Sequence, residues 1–288
     1  MAARSALAPA KINLFLHVGP VDGAGYHPLS SLVAFADVGD RITVETSDRL
    51  SLTVGGDFAD GLTGPGDNLV LKALRALGET AGIGDPPLAV TLDKRLPIAA
   101  GLGGGSSDAG AALKLARDGL GLDLDDDALA GVAATVGADG PMCLHARTAW
   151  AGGRGDRLTF EPRLPRLAAL LINPGVASPT GEVYRAYDAG PVAAADRPPP
   201  PPSWEVPAVI DWLAGRRNDL QAPAIARASR IADVIAAATA LPGVRLVRMS
   251  GSGATVFALF ETAAEAAAAE AALSAARPGW WIRATSLG

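Results

Sequence analysis

One cysteine, Cys143, occurs in the whole chain, so an internal disulfide is impossible and a reducing cytoplasm is the expected compartment. Histidine is scarce as well: His17, His27 and His145 are scattered, and nothing has the spacing of a zinc-ligand cluster. No apolar run approaches the roughly 18 residues that a membrane-spanning helix needs. A basic excess is also missing, because 25 Lys and Arg face 30 Asp and Glu for a net charge of −5. That balance argues against general nucleic-acid binding, which wants a basic face. Arg4 precedes small and apolar residues, but Lys11, Asn13 and His17 interrupt the apolar stretch of a signal peptide. The expectation is a soluble cytoplasmic protein with neither membrane nor nucleic acid as its partner. The sequence leaves its oligomeric state open.

What is present is enough to fold. The chain has 288 residues, 49% of them apolar, which suits one large or two modest domains. Residues 12–18 alternate apolar and polar, as a half-buried strand does, and further strand-like runs cover 32–36, 42–45, 50–54 and 88–92. Residues 68–77 read as a helix with Leu71, Leu74 and Leu77 on one side and Asp67 or Asn68 as its cap. Helices are expected over 106–120 and 125–136, the second with acidic residues at its start and Gly137 at its end. Strands at 148–150, 157–160 and 167–172 follow, then helices at 209–213, 224–241 and 263–276, and strands at 244–249, 255–259 and 280–285. Strands and helices mixed without steady βαβ alternation predict an α+β fold in two lobes, 1–155 and 156–288. Residues 189–202 are low in complexity and end in five prolines, Pro198 to Pro202, a stiff run that reads as a surface loop insertion rather than a ligand for a proline-binding module.

The most informative segment is Leu96-Pro97-Ile98-Ala99-Ala100-Gly101-Leu102-Gly103-Gly104-Gly105-Ser106-Ser107-Asp108-Ala109-Gly110. Four of the five residues from Gly101 to Gly105 are glycine, so several backbone N–H groups can turn toward one point without Cβ obstruction. The helix start that follows adds unpaired donors and a partial positive charge, which together make a phosphate cradle. It is not a Walker A loop, since no lysine precedes Ser106 or Ser107, and it lacks the third glycine of a dinucleotide fingerprint. Protein-kinase His-Arg-Asp and Asp-Phe-Gly signatures are missing too. A second loop, Met249-Ser250-Gly251-Ser252-Gly253-Ala254-Thr255, lies between two apolar runs, where a hairpin is the simpler reading on its own.

Three segments together resemble the motifs of the GHMP small-molecule kinases. They are Pro9-Ala10-Lys11-Ile12-Asn13-Leu14, the glycine-rich segment 96–110, and Met249–Thr255, in the family's order. Gly25-Tyr26-His27, Gly137-Ala138-Asp139 and Arg217-Asn218-Asp219 narrow the resemblance to the branch acting on a cytidine-diphosphate-linked methylerythritol. It implies a fold with an N-terminal lobe like domain 2 of ribosomal protein S5 and a ferredoxin-like C-terminal lobe. It also implies ATP-dependent phosphorylation of the substrate's 2-hydroxyl, in the non-mevalonate route to isoprenoid precursors. Another GHMP kinase, for homoserine, mevalonate or a sugar, and a non-catalytic nucleotide-binding protein are the alternatives.

On that resemblance residues 97–107 hold ATP, and Asp139 accepts the proton of the attacking hydroxyl. Lys11 stabilises the developing charge, and Asn13 lies two residues on along the same strand face. Tyr26, His27 and Tyr184 are expected at the cytidine end, where an aromatic ring stacks on a base. Mg²⁺ should accompany ATP, held largely by phosphates and water, with the Ser107 hydroxyl as a candidate contact. Two departures from the family pattern stand out. Ala99-Ala100 replace a usual Gly-Gly, and Gly140 takes the place of an aliphatic residue, which is expected to loosen the backbone aiming Asp139.

Overall fold

The computed structural model describes residues 3–62 and 68–288. The alternative helix cap Asp67 lies outside the described residues. The chain forms two compact units, one of residues 1–11, 38–98 and 103–147 and the other of 12–37, 99–102 and 148–288. They do not follow a single cut at 155/156, because two long strands, β1 (Arg4–Val18) and β2 (Leu29–Thr46), each contribute to both.

In the first unit β2 pairs antiparallel with β4 (Leu88–Asp93), which pairs in parallel with β3 (Ser51–Gly55). Its α-helices among the described residues are α1 (Leu69–Thr80), α2 (Gly104–Leu120), α3 (Asp126–Val136) and α4 (Gly140–His145). The spacing of Val70, Leu71, Leu74 and Leu77 buries one stripe of α1, and the Asn68 side chain accepts the Val70 N–H as expected of a cap. Asp125 caps α3 in the same way through the Ala128 N–H. Leu113, Ala116, Leu129 and Val132 join α1 in a continuous apolar core. Small residues matter here: a Cβ on Gly110 would sit 2.8 Å from the Leu144 Cα, so α4 packs directly on the α2 backbone.

Both long strands exceed their expected length for identifiable reasons. Pro9 discourages a strand, but β1 pairs with β2 and its other described bridge, Leu16 to Asn218, lies seven residues beyond Pro9, so the missing N–H is tolerated. Gly39-Asp40 resembles a turn, yet it lies within β2. A Cβ on Gly39 would stand 2.1 Å from the Ala8 carbonyl oxygen, so glycine permits the close strand approach. Asp40 is completely buried because it accepts the Arg95 and Leu96 N–H groups and pairs with Lys94.

In the second unit β7 (Leu167–Asn173) lies between antiparallel partners β9 (Val256–Phe260) and β10 (Trp281–Leu287), with β8 (Leu246–Met249) beside β9. β5 (Ala149–Gly153) pairs with the start of β2 and with β6 (Arg157–Phe160). The helices are α5 (Thr180–Asp188), α6 (Val206–Ala214), α7 (Gln221–Arg227), α8 (Arg230–Thr239) and α9 (Ala263–Ala276). The single helix expected over 224–241 is two, because Ala228 leaves helical geometry at φ −136°, ψ 84°. Ala224 and Ile231 are buried seven residues apart, so a periodic reading passes straight through the break.

The proline run departs from the exposed loop expected of it. Pro198 and Pro201 are buried while Pro199, Pro200 and Pro202 are exposed, the three-residue period of a polyproline helix with one face packed down. No helix among the described residues is long and apolar enough to cross a membrane.

Candidate active site

The backbone of the glycine-rich segment alternates in hand. Ala99 has φ +50°, Gly101 +73° and Gly103 +63°, whereas Ala100 and Leu102 do not enter the left-handed region. Such alternation turns successive N–H groups to one side of the chain and builds an anion-binding nest. Ala100 and Leu102 are buried and hold the segment down, leaving Gly101, Gly103, Gly104, Gly105 and Ser106 half-buried. Pro97 is buried and Ile98 half-buried. Helix α2 starts at Gly104, two residues earlier than the sequence suggests, with Gly103 at its cap.

In the first unit, Lys11 Nζ lies 3.2 Å from Asp139 Oδ2. The lysine side chain is 7% exposed and the aspartate 39%, so the ion pair has a buried cation and a carboxylate open to a reactant. Asp139 occupies the cap position of α4 without spending its side chain on a capping hydrogen bond. Gly103 faces the pair: a Cβ there would stand 3.2 Å from Lys11 Cβ and Cε and 3.3 Å from Cys143 Sγ. Glycine at the last turn of the loop suits both its φ of +63° and the close approach of Lys11.

Gly140 tightens rather than loosens this region. A Cβ on it would lie 2.1 Å from the Ala133 carbonyl oxygen, and its N–H bonds to the Gly137 carbonyl at 2.9 Å. The turn carrying Asp139 is thereby pressed against α3. Cys143 is buried, and burial together with the nearby Asp139 charge pushes its thiol up to about 12. Ser107, the candidate Mg²⁺ contact, is fully buried at the start of α2. Among the described residues no three His, Cys, Asp or Glu side chains gather as a metal site.

A buried triad that sequence reading did not single out lies under the loop. Lys94 Nζ is 2.5 Å from Asp40 Oδ2 and 2.8 Å from Asp108 Oδ2, and a Cβ on Gly104 would reach within 3.1 Å of the same nitrogen. Burial, opposed by Lys94 and aided by the Asp40 charge, holds the Asp108 carboxyl up to about 7. Burial disfavours the Lys94 ammonium, but the two carboxylates overcome it and its net shift is upward. An acidic residue at a helix start is ordinary dipole chemistry, so the sequence alone does not disclose the burial of Asp108.

In the second unit, Asn13 donates from Nδ2 to Ser31 Oγ at 2.8 Å, and its backbone N–H donates to Ser250 Oγ at 3.1 Å. Ser250 Oγ in turn donates to the Gly101 carbonyl at 3.1 Å, and Thr255 N donates to the Ala100 carbonyl. The Met249–Thr255 loop is thus more than a hairpin: it carries the backbone of the glycine segment. Asn218 holds that loop by donating to the Met249 and Gly251 carbonyls, and Asp219 accepts the Val18 N–H. Arg248, buried, donates to the carbonyls of Leu14, Leu213 and Arg216; burial, then Arg216, lowers it to about 10.

The aromatic residues separate by role. His27 faces Tyr184, with ring centroids 5.1 Å apart at 34°. Its Nδ1 donates to the Gly19 carbonyl at 2.8 Å and its Nε2 is 3.2 Å from Asp188. Tyr187 is buried with its hydroxyl donating to the Val18 carbonyl, a structural post, whereas Tyr184 is half-buried. Tyr26 is exposed, and the Arg154 guanidinium carbon stands 3.5 Å from its ring centroid. The register Leu29↔Gly153 brings those two loops together, a long-range fact that only the pairing of β2 with β5 supplies.

The model of the GHMP kinases N terminal domain matches residues 68–147 and that of GHMP kinases C terminal matches 209–278. A 4-diphosphocytidyl-2-C-methyl-D-erythritol kinase of Caulobacter vibrioides is 53% identical over 282 residues, covering 97% of each chain. The crystal structure of a 4-(cytidine 5'-diphospho)-2C-methyl-D-erythritol kinase superposes with a TM-score of 0.79 at 35% identity, covering 99% of both chains. The homoserine kinase of Cytophaga hutchinsonii shares the fold alone, at TM-score 0.65 and 20% identity over 99% of this chain and 95% of its own.

Proposed function

The chain belongs to the GHMP kinase family, and from that premise we propose that it transfers the γ-phosphoryl group of ATP to the 2-hydroxyl of 4-diphosphocytidyl-2-C-methyl-D-erythritol. The products are the 2-phosphate and ADP, in the non-mevalonate route to isoprenoid precursors. The observation that carries the reading is the Lys11–Asp139 pair facing Gly103, in a chain whose relatives bear that activity in their names.

Phosphoryl transfer to an alcohol needs held phosphates, neutralised charge and an aligned hydroxyl with somewhere for its proton. Within residues 97–107, the alternating backbone of 99–103 and the helix start that follows serve the first need with N–H donors rather than side-chain cations. Asp139, open and not engaged as a cap, takes or orients the hydroxyl proton. Lys11 stands beside that carboxylate and offsets charge on the transferred group. Asn13 borders the acceptor, while His27, Tyr184 and Tyr26 serve the cytidine end by stacking and edge contacts. Mg²⁺ accompanying ATP would supply charge neutralisation at the phosphates, held largely by phosphate and water oxygens, with the Ser107 hydroxyl as the side-chain candidate.

An ADP-release assay across 4-diphosphocytidyl-2-C-methyl-D-erythritol, mevalonate and homoserine tests the reading. Turnover confined to the cytidyl substrate is expected; turnover with either of the others in its place would reassign the enzyme within the family.

A further inference from the structure

Residues 194–201 run past the end of β1 as a strap, tied down at both ends. Pro198 and Pro201 present the buried face of the polyproline turn, and Trp212 Nε1 donates to the Pro199 carbonyl at 3.0 Å. Trp212 belongs to an aromatic cluster with Phe15 and Trp150, their rings meeting edge to face at centroid distances of 5.8 to 6.1 Å. The Arg197 guanidinium carbon covers the Trp150 ring at 4.3 Å. Proline-rich segments dock on aromatic walls in this manner because their extended shape is already formed and little conformational freedom is lost. Here the segment and the wall belong to one chain.

The other end of the strap reaches the residues proposed to hold the base. Arg217 Nη2 donates to the Ala194 carbonyl at 3.0 Å, and His17 Nδ1 donates to the Asp196 carbonyl at 3.3 Å. Between them Ala195 backs Gly19: a Cβ on Gly19 would meet Ala195 Cβ at 3.3 Å and Pro28 Cγ at 2.7 Å. Gly19 N–H donates to the Pro28 carbonyl at 2.8 Å, and the Gly19 carbonyl receives the His27 Nδ1 proton. That bond, together with the Asp188 carboxylate 3.2 Å from Nε2, sets how the ring meets Tyr184.

We propose that the 194–201 strap is a positioning element for the cytidine end of the substrate, setting the His27 ring through Ala195 and Gly19. The inference rests on the proposed function for its substrate, but not for its geometry. Replacing Pro198 and Pro201 together by alanine frees the backbone dihedral while keeping the apolar contact small. Trp212→Phe removes the indole donor to Pro199 and keeps an aromatic ring. The expected result for either variant is a rise of about fivefold or more in KM for the cytidyl substrate, with kcat and KM for ATP within twofold. In parallel, the His27 Nδ1 proton resonance loses its hydrogen-bonded shift. If Trp212→Phe proves unstable in a thermal melt, the double proline variant decides alone, since its substitutions leave the aromatic cluster intact. An unchanged cytidyl KM in a variant whose 189–202 segment has become protease-sensitive overturns the proposal, as does an equal rise in both KM values. A wild-type enzyme inactive on the cytidyl substrate would count against the functional reading instead, and the His27 resonance would still decide the strap.

Discussion

Lys11 and Asp139 stand 3.2 Å apart, the lysine enclosed and the aspartate open, although 128 positions separate them in the chain. The Asp139 side chain makes no capping hydrogen bond, and on the proposed function it meets the incoming hydroxyl. Asp139→Ala is expected to lower kcat by about 10²–10⁴, the usual contribution of a general base. Nucleotide affinity, measured by calorimetry with a non-hydrolysable ATP analogue, should stay within about threefold. An Asp139→Ala enzyme with full activity would remove Asp139 from the mechanism.

The Lys94–Asp40–Asp108 triad predicts an unusual pH response. Asp108 titrates near 7 in the folded protein, far above an unfolded carboxylate. Between those values the folded state binds more protons than the unfolded state, so this group lowers stability as pH rises through that window. Asp108→Asn is expected to match the wild type near pH 4 and exceed it at pH 8 in denaturant melts. A variant less stable than wild type at pH 8 contradicts the account.

Ala99 sits at φ +50°, where a residue with a Cβ costs roughly 1–2 kcal/mol. Glycine loses about 0.5–1 kcal/mol in unfolded-chain entropy, so Ala99→Gly should stabilise the protein by about 0.5–1 kcal/mol. Ala99→Val should destabilise it, because a branched side chain fits that region worst. Thermal melts of the two variants read the sign directly.

Gly140 leaves no room for the aliphatic residue that is usual in the family, given a 2.1 Å approach of its would-be Cβ to the Ala133 carbonyl. Gly140→Val should cost about 1–3 kcal/mol by overpacking and depress kcat, since the displaced turn carries Asp139. Loss of stability with kcat unchanged would separate the turn from catalysis.

Cys143, enclosed and with its thiol held at about 12, should resist alkylation in the native protein and react only on unfolding. Mass spectrometry after iodoacetamide treatment with and without denaturant checks this; native labelling at the unfolded rate would contradict the burial.

The sequence alone determined the elements whose signals are local. The cap position at Asp67 or Asn68, the acidic start of α3 and the apolar stripe of α1 are legible because each depends on residues a turn apart. The phosphate loop is legible for the same reason: glycines and a helix start suffice to aim backbone donors. Lys11, Asn13 and Asp139 were found through motif resemblance, and the structure brings Lys11 and Asp139 together. Tertiary structure alone decided the rest. Gly39-Asp40 looked like a turn because what it serves, the Ala8 backbone and Lys94, lies far along the chain. The same holds for the buried Asp108, for Arg154 over Tyr26 and for the strap behind Gly19. Each is a packing or charge relation across long sequence separation. Local propensity carries no term for it, and a buried charge declares its role only once its partner is in contact.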